Sequence, residues 1–150
     1  VRAFTYLRSL GGDGLHKIAE MSVLNANYLK QRISAAYPPA HEEMCMHEFV
    51  STAKRYRKFG VRAMDIAKRL IDLGFHPPTV YFPLVVEEAM MVEPTETESK
   101  QTIDAMADAL IQIAREAEED PDLLHEAPKT TPVGRLDEAR AARQLHLRWR

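Results

Sequence analysis

Few residues in this 150-residue sequence have types and spacing that could do chemistry. Leu15-His16-Lys17 offers a lysine, the residue that forms Schiff bases, beside a histidine. A nucleophilic lysine amine needs a desolvated pocket. Lys17 falls in the first turns of an amphipathic helical pattern that hints at none, so it reads as a solvated helix lysine. Cys45 and His47 suggest a thiol and its base. They stand i, i+2 on a predicted strand, where alternate side chains lie side by side, and no third group orients them. A buried structural cysteine is the plainer reading. Six histidines (His16, His41, His47, His76, His125 and His146) include no pair at metal-ligand spacing. There is no Gly-rich phosphate loop and no nucleophile elbow.

One stretch carries more. Gly74–Lys100 holds two short apolar runs, Val80–Phe82 and Ala89–Val92, bracketed by Pro77, Pro78, Pro83 and Pro94. Runs this short between prolines read as strands, because proline cannot donate to a ladder and collects at strand ends. The two prolines after His76 stiffen the loop and hold His76 and Thr79 in place. Thr79 opens one predicted strand and Glu93 closes the next. An antiparallel pair would bring His76, Thr79, Glu93, Thr95 and Glu96 together as the wall of a site. The plainer alternative is a strand-entry turn locked by His76.

The flanking elements must position this pair. Val1–Leu10 has helical spacing and stops at Gly11-Gly12. A second helix of about 20 residues then runs from an Asp13 cap to near Ala36, ending before Pro38-Pro39. Such a helix is about 30 Å long, enough to bridge two domains. Met44–Val50 is predicted as a strand, Thr52–Phe59 as a solvated basic loop, and the residues from Gly60 to Gly74 as a helix with Ala63, Ile66, Ala67 and Leu70 on one face. Thr95, Thr97 or Ser99 caps a helix whose stripe is Ile103, Met106, Leu110, Ile113 and Ala117, ending near Pro121. The rest is predicted as an arm, with a short helix over Leu136–Arg143. The order implies an α+β fold: a three-stranded, mainly antiparallel sheet with helices on one face.

Composition narrows the classes. A 45% hydrophobic content suits one core. A net charge of -2 argues against a nucleic-acid surface, and no apolar run is long enough for a membrane span. The single cysteine leaves no internal disulfide and fits a reducing, cytoplasmic setting. With no initiator methionine and a start inside a helical pattern, a piece of a longer chain is expected.

Several long motifs are also familiar. Asp65-Ile-Ala-Lys-Arg-Leu-Ile-Asp-Leu-Gly-Phe-His-Pro-Pro-Thr-Val-Tyr-Phe-Pro and Met91-Val-Glu-Pro-Thr-Glu-Thr-Glu-Ser-Lys resemble the C-terminal part of glycine dehydrogenase (decarboxylating), the P-protein of the glycine cleavage system. Val23-Leu-Asn-Ala-Asn-Tyr resembles that family's interdomain helix. Thr130-Thr-Pro-Val and Arg135-Leu-Asp-Glu-Ala-Arg-Ala-Ala-Arg are similar to the end of its subunit-2 form. The resemblance implies the small C-terminal domain of an aminotransferase-like, pyridoxal-phosphate enzyme. Such an enzyme decarboxylates glycine and passes the aminomethyl group to the lipoyl arm of H-protein. It further implies residues 1–36 as terminal large-domain and interdomain helices, 37–120 as the small domain and 121–150 as an arm. The family's catalytic lysine lies upstream, so catalytic and cofactor-binding residues are expected outside this chain. The chain alone is expected to be inactive. Implied partners are the large domain, subunit 1, H-protein and glycine, with no nucleic acid or membrane. A non-catalytic interaction module, docking through the Ile103–Ala117 stripe or the basic Thr52–Phe59 segment, is the competing reading.

Overall fold

Helix α1 (Arg2–Ile33) leads the chain. In the computed structural model, which describes residues 1–148, it is broken at Gly11, whose φ of 65° and ψ of -174° are not helical. The two predicted helices are therefore two arms of one broken element, ending at Ile33 rather than near Ala36. Beyond it come β1 (Phe49–Thr52), a 3-10 helix (Lys54–Phe59), α2 (Ala63–Asp72), β2 (Thr79–Val80), β3 (Ala89–Val92), α3 (Lys100–Glu119), α4 (Pro121–His125) and α5 (Glu138–Arg143).

The strands form an antiparallel sheet in the order β1-β3-β2. Phe49 lies opposite Val92, and Thr79 opposite Met91. Residues 38–40 cover the outer edge of β1: Ala40 N–H donates to Val50 O (2.8 Å) and Thr52 N–H to Pro38 O (3.0 Å). This protects the edge from foreign strands.

Helix α3 packs against α1, α2, α4 and the 3-10 helix. Its stripe of Ile103, Leu110, Ile113 and Ala117 is buried against Leu29 and Ile33 of α1, Ile66 and Leu70 of α2, and Leu124 of α4. Each of the larger aliphatic side chains contributes about 1.5–3 kcal/mol by leaving water. Tyr37 and Tyr56 pack in the same core with ring centroids 5.4 Å apart and ring planes tilted by 54°. Their hydroxyls donate to Leu110 O (3.0 Å) and Ala36 O (2.8 Å), so neither buried hydroxyl is left unpaired.

Several expectations change. The strand predicted over Met44–Val50 begins only at Phe49. Residues 44–48 are irregular: α1 side chains, rather than a ladder, take the backbone groups of Cys45 and of the two residues before Met44. Asn27 Nδ2 donates to Cys45 O (2.8 Å) and Asn27 Oδ1 accepts from Cys45 N–H (3.0 Å). Lys30 Nζ reaches Glu42 O and Glu43 O. Cys45 is thus half-buried in a loop. The strand predicted over Thr79–Phe82 stops at Val80, since Tyr81 takes φ 61°. The basic segment is a 3-10 helix that buries Tyr56. Of the three candidate caps, Ser99 is the one that caps α3, its hydroxyl accepting from Thr102 N–H at 3.1 Å. The segment after Pro121 divides: Leu124 and Ala127 are fully buried, whereas residues 129–148 lie mostly on the surface.

Candidate functional site

Antiparallel pairing of β2 with β3 sets the loop before β2 beside the loop after β3, about 4.8 Å apart at the strands. Between them opens a cleft of about 290 Å³. Leu29, Val92, Ile103 and Met106 form its apolar floor, and Phe75, Pro77, Pro78 and Pro94 its stiff sides. The polar groups on it are His76, Glu93, Thr95, Glu98 and Thr102. Of the five residues expected at a site wall, His76, Glu93 and Thr95 meet here. Thr79, at the head of β2, and Glu96 are not among the lining residues.

Glu96 instead accepts a hydrogen bond from the Tyr6 hydroxyl. That bond holds the Glu96 carboxyl below the usual carboxylate range and pushes the Tyr6 phenol up. Asn25, buried on α1, donates to Thr95 O (2.9 Å) and Glu98 O (3.3 Å). Tyr6 and Asn25 would stand about 28 Å apart on a straight helix. Both grip the same loop because the chain changes direction at Gly11. Sequence reasoning passed over Asn25, Asn27 and Lys30. Their one signal was polar residues placed at helical spacing among the apolar positions Ala26, Leu29 and Ile33.

A pyridoxal phosphate site needs a desolvated lysine amine and donors for a phosphate. Lys17 is exposed. Lys30 is buried, but its ammonium is spent on two carbonyls. Glu93 and Glu98 give the cleft the wrong charge for a phosphate. The described residues therefore do not fit that cofactor. Among them, no group of three or more His, Cys, Asp and Glu could hold a metal ion, and no helix is long and apolar enough to cross a membrane.

A family model described as glycine dehydrogenase, C-terminal domain, matches residues 18–129. The chain belongs to this family. Relatives named "Probable glycine dehydrogenase (decarboxylating) subunit 2" are 58% identical in Bacillus velezensis and in Lysinibacillus sphaericus, and 55% in Caldanaerobacter subterraneus. Each match covers 99% of this chain but only 30–31% of the relative. The chain thus spans under a third of the length of these glycine dehydrogenase subunits. Among solved structures, an inhibitor-bound glycine decarboxylase (P-protein) of the glycine cleavage system matches with a TM-score of 0.63. That match has 22% identity and covers 73% of this chain and 24% of the other. At that identity it shows the fold: the α+β domain of this glycine dehydrogenase family.

Proposed function

We propose that this chain is the small-domain part of a glycine dehydrogenase (decarboxylating). The complete protein decarboxylates glycine and delivers the aminomethyl group to the lipoyl arm of H-protein, working with a companion subunit in the cytoplasm. Pyridoxal phosphate, held by residues outside this chain, supplies the electron sink. The reading is carried by identity of 55–58% along 99% of the chain.

Residues 1–36 then belong with a larger domain, 37–120 form the small domain, and 121–150 are an arm whose head, α4, sits on the core. The cleft takes the role of channel wall: His76, Glu93 and Thr95 face the channel, with Thr79 and Glu96 at its margin. Prolines on both sides keep these groups placed before a substrate arrives, which lowers the ordering cost of binding. The competing module loses one of its two surfaces, because the Ile103–Ala117 stripe is mostly buried.

The test is release of labelled carbon dioxide from carboxyl-labelled glycine by the full-length protein with its companion subunit and lipoylated H-protein. No release from the wild type ends the proposal. His76→Ala and Glu93→Gln are expected to lower turnover several-fold at unchanged melting temperature. If they lower the melting temperature and leave turnover alone, the cleft is structural only.

A further inference from the structure

Helix α1 turns at Gly11 in a backbone conformation that glycine alone adopts readily, φ 65° and ψ -174°. A Cβ placed there meets nothing within 4 Å. The bend therefore answers to backbone preference and not to lack of room. It swings the first arm of the helix back toward the turn at 95–98. Residues 1–9 of that arm are exposed, and an isolated helix this short is marginal in water. Thr5 and Ser9 spend their hydroxyls on carbonyls of the arm itself. Among the described residues, Tyr6 is the arm's one side chain hydrogen-bonded beyond it, and its partner is Glu96, 90 residues on.

Glu96 sits inside a turn that other groups close. Glu98 N–H donates to Thr95 O (3.2 Å), and the Thr95 and Thr97 hydroxyls pair at 2.8 Å. Asn25 Nδ2 donates to Thr95 O and Glu98 O. Buried Pro94 fixes the entry to the turn. Thr95 and Glu98 line the cleft, and Glu96 between them does not. A hold on the Glu96 side chain therefore sets two cleft residues without entering the cleft. Both arms of α1 grip this one turn, the second through Asn25 and the first through Tyr6. Slack in the first arm is felt at Thr95 and Glu98.

We propose that Tyr6 is a positioning residue for the cleft: acting through Glu96, on an arm aimed by Gly11, it holds the 95–98 turn so that Thr95 and Glu98 are in place before a substrate arrives. Tyr6 itself touches no substrate. The role rests on the channel reading above, in which residues 1–36 go with a larger domain. The Tyr6–Glu96 contact is then the mechanical link between that domain and the rim of the cleft. A turn set in advance lowers the ordering cost of binding, so its loss falls on KM and not on kcat. The lipoyl arm is the longer ligand and the one a loosened wall costs most.

The test uses the full-length protein with its companion subunit and lipoylated H-protein. Tyr6→Phe is expected to raise the KM for H-protein several-fold, to keep kcat within about twofold, and to quicken hydrogen exchange over 93–98 but not over α2. Gly11→Ala has room for its methyl but disfavours the bend, and is expected to do the same. Glu96→Ala raises KM as well, and adding Tyr6→Phe to it changes nothing more, because the two side chains act in series. Additive effects in the double variant overturn the proposal. Unchanged exchange in Tyr6→Phe overturns it, and so does quickened exchange at unchanged KM, which makes the contact structural only. A wild type that releases no carbon dioxide from glycine ends the proposed function. The hold of Tyr6 on the turn then stands or falls on exchange over 93–98 in the single and double variants.

Discussion

Single polar side chains do much of the positioning here, and they act on backbone groups. Asn25, Asn27 and Lys30, all on α1, hold the loops at 95–98, 45 and 42–43 through carbonyls and one amide. Replacing Asn25 by alanine leaves two carbonyls in a part-buried place without their donor. That costs about 1–3 kcal/mol and frees the loop that rims the cleft. Hydrogen exchange is expected to quicken over residues 93–98 and not over α2; unchanged exchange there would mean Asn25 does not hold the loop. Glu88 acts similarly on α2, where its carboxylate and that of Asp65 accept the amides of Ala63 and Arg62. Anions at that end suit the helix dipole. Glu88→Ala removes one of them and strips Arg62 of its buried partner. A loss of about 2–3 kcal/mol is expected in a denaturant titration.

Between elements, carboxylates and guanidinium groups tie the chain's end to its middle. Asp72, at the end of α2, accepts from Lys129 N–H (2.7 Å), Thr130 N–H (2.8 Å) and Thr130 Oγ1 (2.9 Å). Arg135 donates to Ala127 O and Leu124 O and pairs with Asp65 at 2.7 Å. Burial pushes the Asp72 carboxyl up, but the Thr130 and Lys129 hydrogen bonds and nearby Arg69 outweigh it, so the group titrates below its ordinary value. A depressed carboxylate stabilises the fold above its unfolded pKa, and that stability is lost as pH falls through the folded value. The segment 129–135 is therefore expected to loosen below about pH 4. Asp72→Asn should loosen it at neutral pH, at a cost of about 2 kcal/mol. Tryptic cleavage after Lys129 in the variant, before any cut in α3, is the readout. Equal cleavage rates in variant and wild type would show that the contact does not hold the segment.

At the scale of the whole molecule, the Tyr37–Tyr56 pair joins the end of α1, the 3-10 helix and α3. Burial pushes Tyr56 up to about 12 and Tyr37 well above its ordinary value. A raised folded pKa means the contribution is complete below the unfolded value, near 10, and is lost as pH rises through the folded one. Ultraviolet titration should show these two phenols ionising late and together with unfolding. If all five tyrosines titrate near pH 10 with the fold intact, the core pair is not sealed.

The sequence by itself determined the local facts. Periodicity placed α2 and α3 and their buried faces, because each helix's own spacing gathers its apolar residues on one side. Gly11 and Gly74 marked breaks that need positive φ. The proline brackets and apolar runs marked the β2–β3 hairpin, and with it the meeting of His76, Glu93 and Thr95. Tertiary structure decided whatever depends on where backbone groups find partners. Met44–Glu48 has strand-like composition, yet Asn27, more than ten residues away in sequence, takes the amide and carbonyl of Cys45, and Lys30 takes the carbonyls of Glu42 and Glu43 just before it. The basic run at 54–59 is a helix because Tyr56 finds a buried place beside Tyr37. In the sequence Phe82 closes the apolar run Val80–Phe82 and reads as the end of a strand. Only the turn at Tyr81, with the anchoring of Glu87 and Glu88, set it out in solvent.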